Sequence, residues 1–185
     1  MNNINFAQTA LRPSFVDFLS RTNGKPITAV EIGVSQGFNS ALMLTMCPNL
    51  KLYSVDHYVD MFHIWDGSGE FTEEKKINYK IFAINLLTPF GDRCKQIFEP
   101  SMEAVKYFLN ESLDYIYIDG DHRYEPVCND LKYWYPKLKI GGVFAGHDYV
   151  PDCLGVINAV NEFYEKLGLE FNTAPNGDFW SIKEK

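Results

Sequence analysis

The sequence predicts an α/β fold in which a mainly parallel sheet carries helices on both faces and ends in an antiparallel strand. Three observations predict it. Short β-branched, apolar runs alternate with amphipathic stretches, the pattern of parallel strands joined by crossover helices. A glycine-containing turn, Gly33-Val34-Ser35-Gln36-Gly37, directly follows the first apolar run. The stretch Asp114–Tyr149 reads as strand, acidic turn, helix, Gly-Gly turn and strand. Two neighbouring parallel strands would deliver Asp119, Asp121 and His122 from one tip and His147 and Asp148 from the next. That edge, at the carboxyl ends of the strands, is where open α/β sheets bind ligands.

The elements follow in order. Ser14–Ser20 reads as a short helix with Ser14 as its N-cap. Ile27–Ile32 is the first strand, Asn39–Met46 a helix stopped by Pro48, and Lys51–Val55 the second strand. Residues 57–70 form an aromatic loop, and Thr72–Leu87 a helix with a capped start. Cys94–Phe98 is a third strand, Met102–Asn110 a helix, Tyr115–Ile118 a fourth strand, Asn129–Leu138 a helix and Val143–Ala145 a fifth strand. Leu154–Leu167 is the last helix. Leu169–Asn172 and Phe179–Ile182 pair around Asn176-Gly177, a strong hairpin turn signal. The whole is one domain, a helical segment over 1–26 followed by a ligand-binding core over 27–185.

Composition removes several function classes. Hydrophobic residues make up 46% of the 185, too many for a disordered chain. The formal charge of -7 leaves no basic footprint for nucleic acid or an anionic membrane surface. No apolar run approaches the length of a membrane span, and the start of the chain lacks the charged-then-apolar pattern of a signal peptide. Cys47, Cys94, Cys128 and Cys153 form no CxxC pair and fit no zinc spacing, so reduced thiols in a cytoplasmic chain are the simplest reading.

The first ligand signal is the turn after strand one. Glycines at 33 and 37 let the backbone turn sharply and approach a ligand, and the next helix offers free amides. The spacing is not the G-x-G-x-x-G of dinucleotide binding. Asp56, at the tip of strand two, adds an acid able to accept bonds from both hydroxyls of a ribose. His57 and His63 follow it in a loop with Tyr58, Phe62 and Trp65, which is either a lid or a surface loop tucked by its own aromatics. Trp134 and Tyr133 lie among apolar neighbours on a helix and read as core.

The turn at 31–37, the acid at 56, IDGDHRYE at 118–125, GGV at 141–143 and GHDY at 146–149 resemble class I S-adenosylmethionine-dependent methyltransferases. The closest resemblance is to the small-molecule O-methyltransferases of methyltransferase family 24, over about residues 27 to 182. It implies a Rossmann-like, doubly wound sheet of seven strands in the order 3-2-1-4-5-7-6, the last antiparallel. It implies S-adenosyl-L-methionine as cofactor, held by Glu31, Gly33, Ser35, Gly37, Asp56, His57, Ser101 and Asp119. It also implies a small-molecule acceptor, such as a sugar or glycoside, and allows a homo-oligomer.

Methyl transfer needs an acceptor oxygen held in line with the methyl carbon, and a group to take its proton. Asp121 and His122 are the candidate bases; an unperturbed imidazole titrates near neutrality, with a pKa of about 6.5. The resemblance implies a divalent metal, magnesium or manganese, at Asp119, His147 and Asp148. His147 departs from the acidic or amide residue usual there, and imidazole suits manganese better than magnesium. A metal-independent N- or O-methyltransferase and a binding protein that keeps the fold without turnover stay open beside this reading.

Overall fold

In the computed structural model, which describes residues 11–59 and 73–184, seven strands form one sheet in the order β3-β2-β1-β4-β5-β7-β6. They are β1 (Ile27–Ile32), β2 (Leu50–Val55), β3 (Cys94–Ile97), β4 (Leu113–Ile118), β5 (Leu138–Gly146), β6 (Asn172–Thr173) and β7 (Phe179–Ile182). The pairs among β1 to β5 are parallel, and β7 runs antiparallel to both β5 and β6. The helices are α1 (Pro13–Arg21), α2 (Phe38–Met46), α3 (Glu73–Leu87), α4 (Ser101–Ala104), α5 (Tyr124–Trp134) and α6 (Leu154–Leu167).

Alternation along the central strands builds two cores. Val30, Ile32, Ile116, Ile118 and Phe144 face α5 and α6, meeting Val127, Leu131, Trp134, Val156 and Val160. Ala29, Leu50, Leu52, Tyr115, Tyr117 and Val143 face the other way, onto Phe15, Phe18, Met43, Leu44, Ala83 and Leu87. Both faces of β1 and β4 are therefore dry, as a parallel sheet requires.

Helix α1 starts one residue earlier than its sequence suggests, at Pro13, whose fixed φ suits a first helical position. Ser14 is not its cap. Its amide donates to Asp178 (2.8 Å) and its hydroxyl meets the Tyr115 hydroxyl (2.8 Å). Asp178 also accepts the Tyr117 hydroxyl (2.8 Å). This fully buried carboxylate thus ties the N-terminal helix to the sheet. Burial of Phe15 and Phe18 adds about 1.5–3 kcal/mol each.

Other boundaries differ from the sequence reading. The helix expected over 102–110 is the single turn α4 followed by a 3-10 turn, Val105–Tyr107. Helix α5 begins at Tyr124 rather than Asn129, because Pro126 falls within the first turn, where no amide is needed. Tyr133 is 46% exposed and not core, while Trp134 is fully buried. Strand β5 begins at Leu138 because Gly141-Gly142 lies inside it, not in a turn ahead of it. A Cβ at Gly142 would stand 2.9 Å from the Asp114 carbonyl oxygen across the sheet. The four cysteines are free thiols. Most of the aromatic loop, His63 and Trp65 included, and the helix start at Thr72 lie outside the described residues. Among the described residues no helix is long and apolar enough to cross a membrane.

Candidate active site

The strand tips open into a cavity of about 770 Å³, within the range of small-ligand sites. Its floor is the turn after β1. Gly33 sits at φ +85°, and a Cβ there would lie 2.0 Å from the Asp119 carbonyl oxygen. The tips of β1 and β4 approach closely only because residue 33 is glycine. Asp56 braces this turn. One of its oxygens accepts the amides of Val34 and Ser35 (both 2.9 Å), and the other that of Tyr58 (2.9 Å). The Tyr58 hydroxyl closes the ring onto the Ser35 carbonyl (2.9 Å). The ribose-binding candidate is therefore already a structural acceptor, with about one lone-pair site left on Oδ1, and it lines the cavity.

Glu31, on β1, is 1% exposed. Burial pushes its pKa up to about 7, while hydrogen bonds from Ser40 and Asn39 and the charge of Arg12 pull the other way. Asn39 donates at 2.9 Å, and Ser40 also meets the Ser54 hydroxyl (2.8 Å). Helix α2 thus supplies the donors that hold this carboxylate at the cavity wall.

The second cluster comes from β4 and β5. Asp119 is fixed by its amide to the Ile32 carbonyl (2.7 Å), and His147 by its amide to the Ile118 carbonyl (3.0 Å). Asp148 adopts a left-handed backbone, φ +60°, which turns its side chain back toward the β4 tip. His122 Nε2 lies 2.8 Å from one Asp148 oxygen and His147 Nδ1 3.1 Å from the other. Burial pushes the Asp148 pKa up, but the hydrogen bonds and charges of His122 and His147 overcome it and hold the carboxyl well below its usual range. The same Asp148 hydrogen bond raises the His122 pKa, against a smaller lowering by burial. Burial raises Asp119 well above the usual carboxylate range, helped by the charges of Asp148 and Glu31 and opposed by Arg12.

Asp119, His122 and Asp148 each present a ligand atom within 4.8 Å of the others. Two carboxylates and an imidazole suit a divalent cation such as manganese. His147 stands beside this group, with its Nδ1 toward Asp148 and its Nε2 bonded on the far side. Its Nε2 lies 2.7 Å from Arg12 Nη1 and 2.8 Å from the Asn176 carbonyl, and its Nδ1 stays 3.7 Å from Asp119. Asp121 is held by the amide (2.8 Å) and guanidinium of Arg123.

Ten of the expected site residues share the cavity wall: Glu31, Gly33, Ser35, Asp56, His57, Ser101, Asp119, Asp121, His122 and Asp148. Gly37 and His147 stand behind it. Gly37 is at the left-handed N-cap of α2, and His147 is beneath Arg12. Three residues escaped the sequence reading. Arg12 reaches from before α1 to His147 and Asp119 (3.7 Å), and nothing local in the sequence marks it. Asp178 looks like a turn residue. Asp130 had a signal, since Val127, Asp130, Leu131 and Trp134 follow helical spacing and place a carboxylate on an apolar face.

A glycine turn and an acid at neighbouring strand tips, under the 3-2-1-4-5-7-6 order, define the class I methyltransferase fold. Residues 30–149 match the Methyltransf_24 methyltransferase-domain family, and the chain belongs to it. A curated relative, "Uncharacterized protein R132" of Acanthamoeba polyphaga mimivirus, is 26% identical over 66% of this chain and 52% of its own length. The chain spans about half the length of that relative. Among solved structures, the O-methyltransferase NovP is 20% identical, with a TM-score of 0.65 over 88% of this chain and 74% of that one. An O-methyltransferase from Bacillus cereus in complex with SAH is 14% identical, with a TM-score of 0.62 over 94% and 83%. These likenesses support the fold and the sheet order expected from the sequence.

Proposed function

We propose that the chain transfers the methyl group of S-adenosyl-L-methionine to a hydroxyl oxygen of a small acceptor, a sugar or glycoside being the expected class. The observation that carries this is a shared wall: the Gly33 turn and Asp56 face the same cavity as Asp119, His122 and Asp148. Gly33, Ser35, Asp56 and His57 would hold the ribose and methionine parts, Gly37 shaping the turn behind them, with Glu31 and Asp119 nearest the positive sulfonium. Ser101 marks the purine end. The excess of carboxylates there favours a cationic donor.

In the transfer the acceptor oxygen bonds to the methyl carbon as the carbon–sulfur bond breaks, and the hydroxyl proton leaves. Positioning of this kind supplies about 7–11 kcal/mol and a base about 10²–10⁴-fold. His122, oriented by Asp148, takes the proton, with Asp121 as its neighbour in the role. A divalent metal, when bound, would lower the pKa of a hydroxyl bound to it. Asp119, Asp148 and His122 would hold it, with His147 behind them, and the base role would then fall to Asp121.

The test is purified chain with isotope-labelled methyl donor and a metabolite extract, read by mass, with and without chelator. Labelled products carrying one added methyl are expected. Their absence, in extracts rich in hydroxylated metabolites, would remove the reading. Turnover that survives the chelator would assign the proton transfer to His122 or Asp121 without metal.

A further inference from the structure

A second polar device lies in the cavity, under the β3 tip and apart from the Asp119 cluster. Asp130 is 5% exposed on the apolar face of α5. A buried carboxylate there costs several kcal/mol unless it is well paired. Its pairing is half complete. The Trp134 indole N–H, a donor only, bonds the Ser101 oxygen (2.7 Å), so the Ser101 proton goes to Asp130 Oδ1. Oδ2 has no hydrogen-bond partner among the described residues, nor is it sealed in the interior as an unpaired atom. Asp130 lines the cavity together with Pro100, Ser101, Met102 and Pro126. Burial pushes its pKa up to about 7, the Ser101 hydrogen bond opposing, and no cation compensates it. The Trp134–Ser101–Asp130 chain therefore holds one free acceptor in a cavity that Pro100, Met102 and Pro126 also line.

We propose that Asp130 reads the purine of the methyl donor, its Oδ2 accepting a hydrogen from the exocyclic 6-amino group. This rests on the donor assignment above. It also reassigns Ser101: the serine orients the reader, its own proton being spent on Asp130. The selectivity follows from a single atom. A 6-oxo purine would set an oxygen lone pair against the carboxylate, and a site built for a donor rejects a ligand that lacks it.

The test compares S-adenosylhomocysteine with S-inosylhomocysteine by calorimetry. Wild type should bind the adenosyl compound at least about tenfold more tightly, the equivalent of about 1.4 kcal/mol. Asp130→Asn keeps an acceptor for Ser101 and turns the cavity-facing atom into a donor. The ratio should then fall by about tenfold or invert. A purely structural role for Asp130 would weaken both ligands together and leave the ratio unchanged, which overturns the proposal. So does a wild-type ratio near one, a readout that does not depend on the variant folding. Equal binding of both compounds sinks only the Asp130 assignment. Failure of wild type to bind either sinks the donor reading and this one with it.

Discussion

Replacing Glu31 by glutamine isolates the titration of a carboxyl that has almost no access to water. Its pKa in the folded chain is about 7, against 4.5 for the ordinary group. The folded state therefore binds more protons than the unfolded one between those values, and stability falls as pH rises through that window and levels above 7. The shift corresponds to about 3 kcal/mol, at about 1.4 kcal/mol per pKa unit, and the depth of burial leaves little screening by solvent. Between pH 5 and 8.5 the part expressed is about 2–3 kcal/mol, since the unfolded carboxyl is already mostly ionised at pH 5. Glutamine does not titrate. The stability of Glu31→Gln relative to wild type should rise by that amount from pH 5 to pH 8.5, equivalent to roughly 5–10 °C in Tm for a chain of this length. Urea denaturation of both proteins without donor, at matched pH values, reads it directly. Taking the difference cancels Asp130 and His122, whose raised pKa values push stability in the same direction. A difference that stays constant to within a few tenths of a kcal/mol would refute the reasoning: Ser40 and Asn39 would then compensate burial fully.

Gly33→Ala should cost at least about 3 kcal/mol and abolish donor binding, since the Cβ meets the Asp119 carbonyl at 2.0 Å on top of a left-handed backbone penalty of about 1–2 kcal/mol. Thermal melting and calorimetry check it, and a stable, donor-binding variant would contradict it. Asp56→Ala strips acceptors from three amides and should lower donor affinity by more than about tenfold while leaving any response to added metal unchanged. Asp178→Ala leaves the Ser14 amide and Tyr117 hydroxyl buried without their acceptor, at about 2–4 kcal/mol, with faster amide exchange in α1 as the specific readout. His122→Ala combined with Asp121→Asn should slow methyl transfer by about 10²–10⁴ with donor affinity near wild type. Full turnover in that pair would take the base role from both.

The parts legible in the sequence were those that periodicity or glycine chemistry specifies locally. The bounds of β1, α6 and β7 follow from short apolar runs and from a helix closed by the left-handed Gly168. The tips carrying Gly33, Asp56, Asp119 and Asp148 were legible because each lies within a few residues of a strand end. What sequence could not supply was set by distant packing. Gly141-Gly142 has the composition of a turn and falls where the β4–β5 register shifts, yet it is held within β5 by backbone bonds to the distant Lys183 (2.7 and 3.0 Å). Arg12 meets His147 across a separation of 135 residues, so nothing local in the sequence foretells that contact. Asp178 bonds Ser14 across a separation of 164 residues, so neither partner shows a local signature.

A crystal structure of the chain with S-adenosylhomocysteine tests the central claim most directly. The account predicts the homocysteine sulfur above the Gly33 turn and beside Asp119, the ribose at Asp56, and the purine 6-amino group within hydrogen-bonding distance of Asp130. Ligand bound outside this cavity, or inside it with the purine at the His122–Asp148 end, would contradict it.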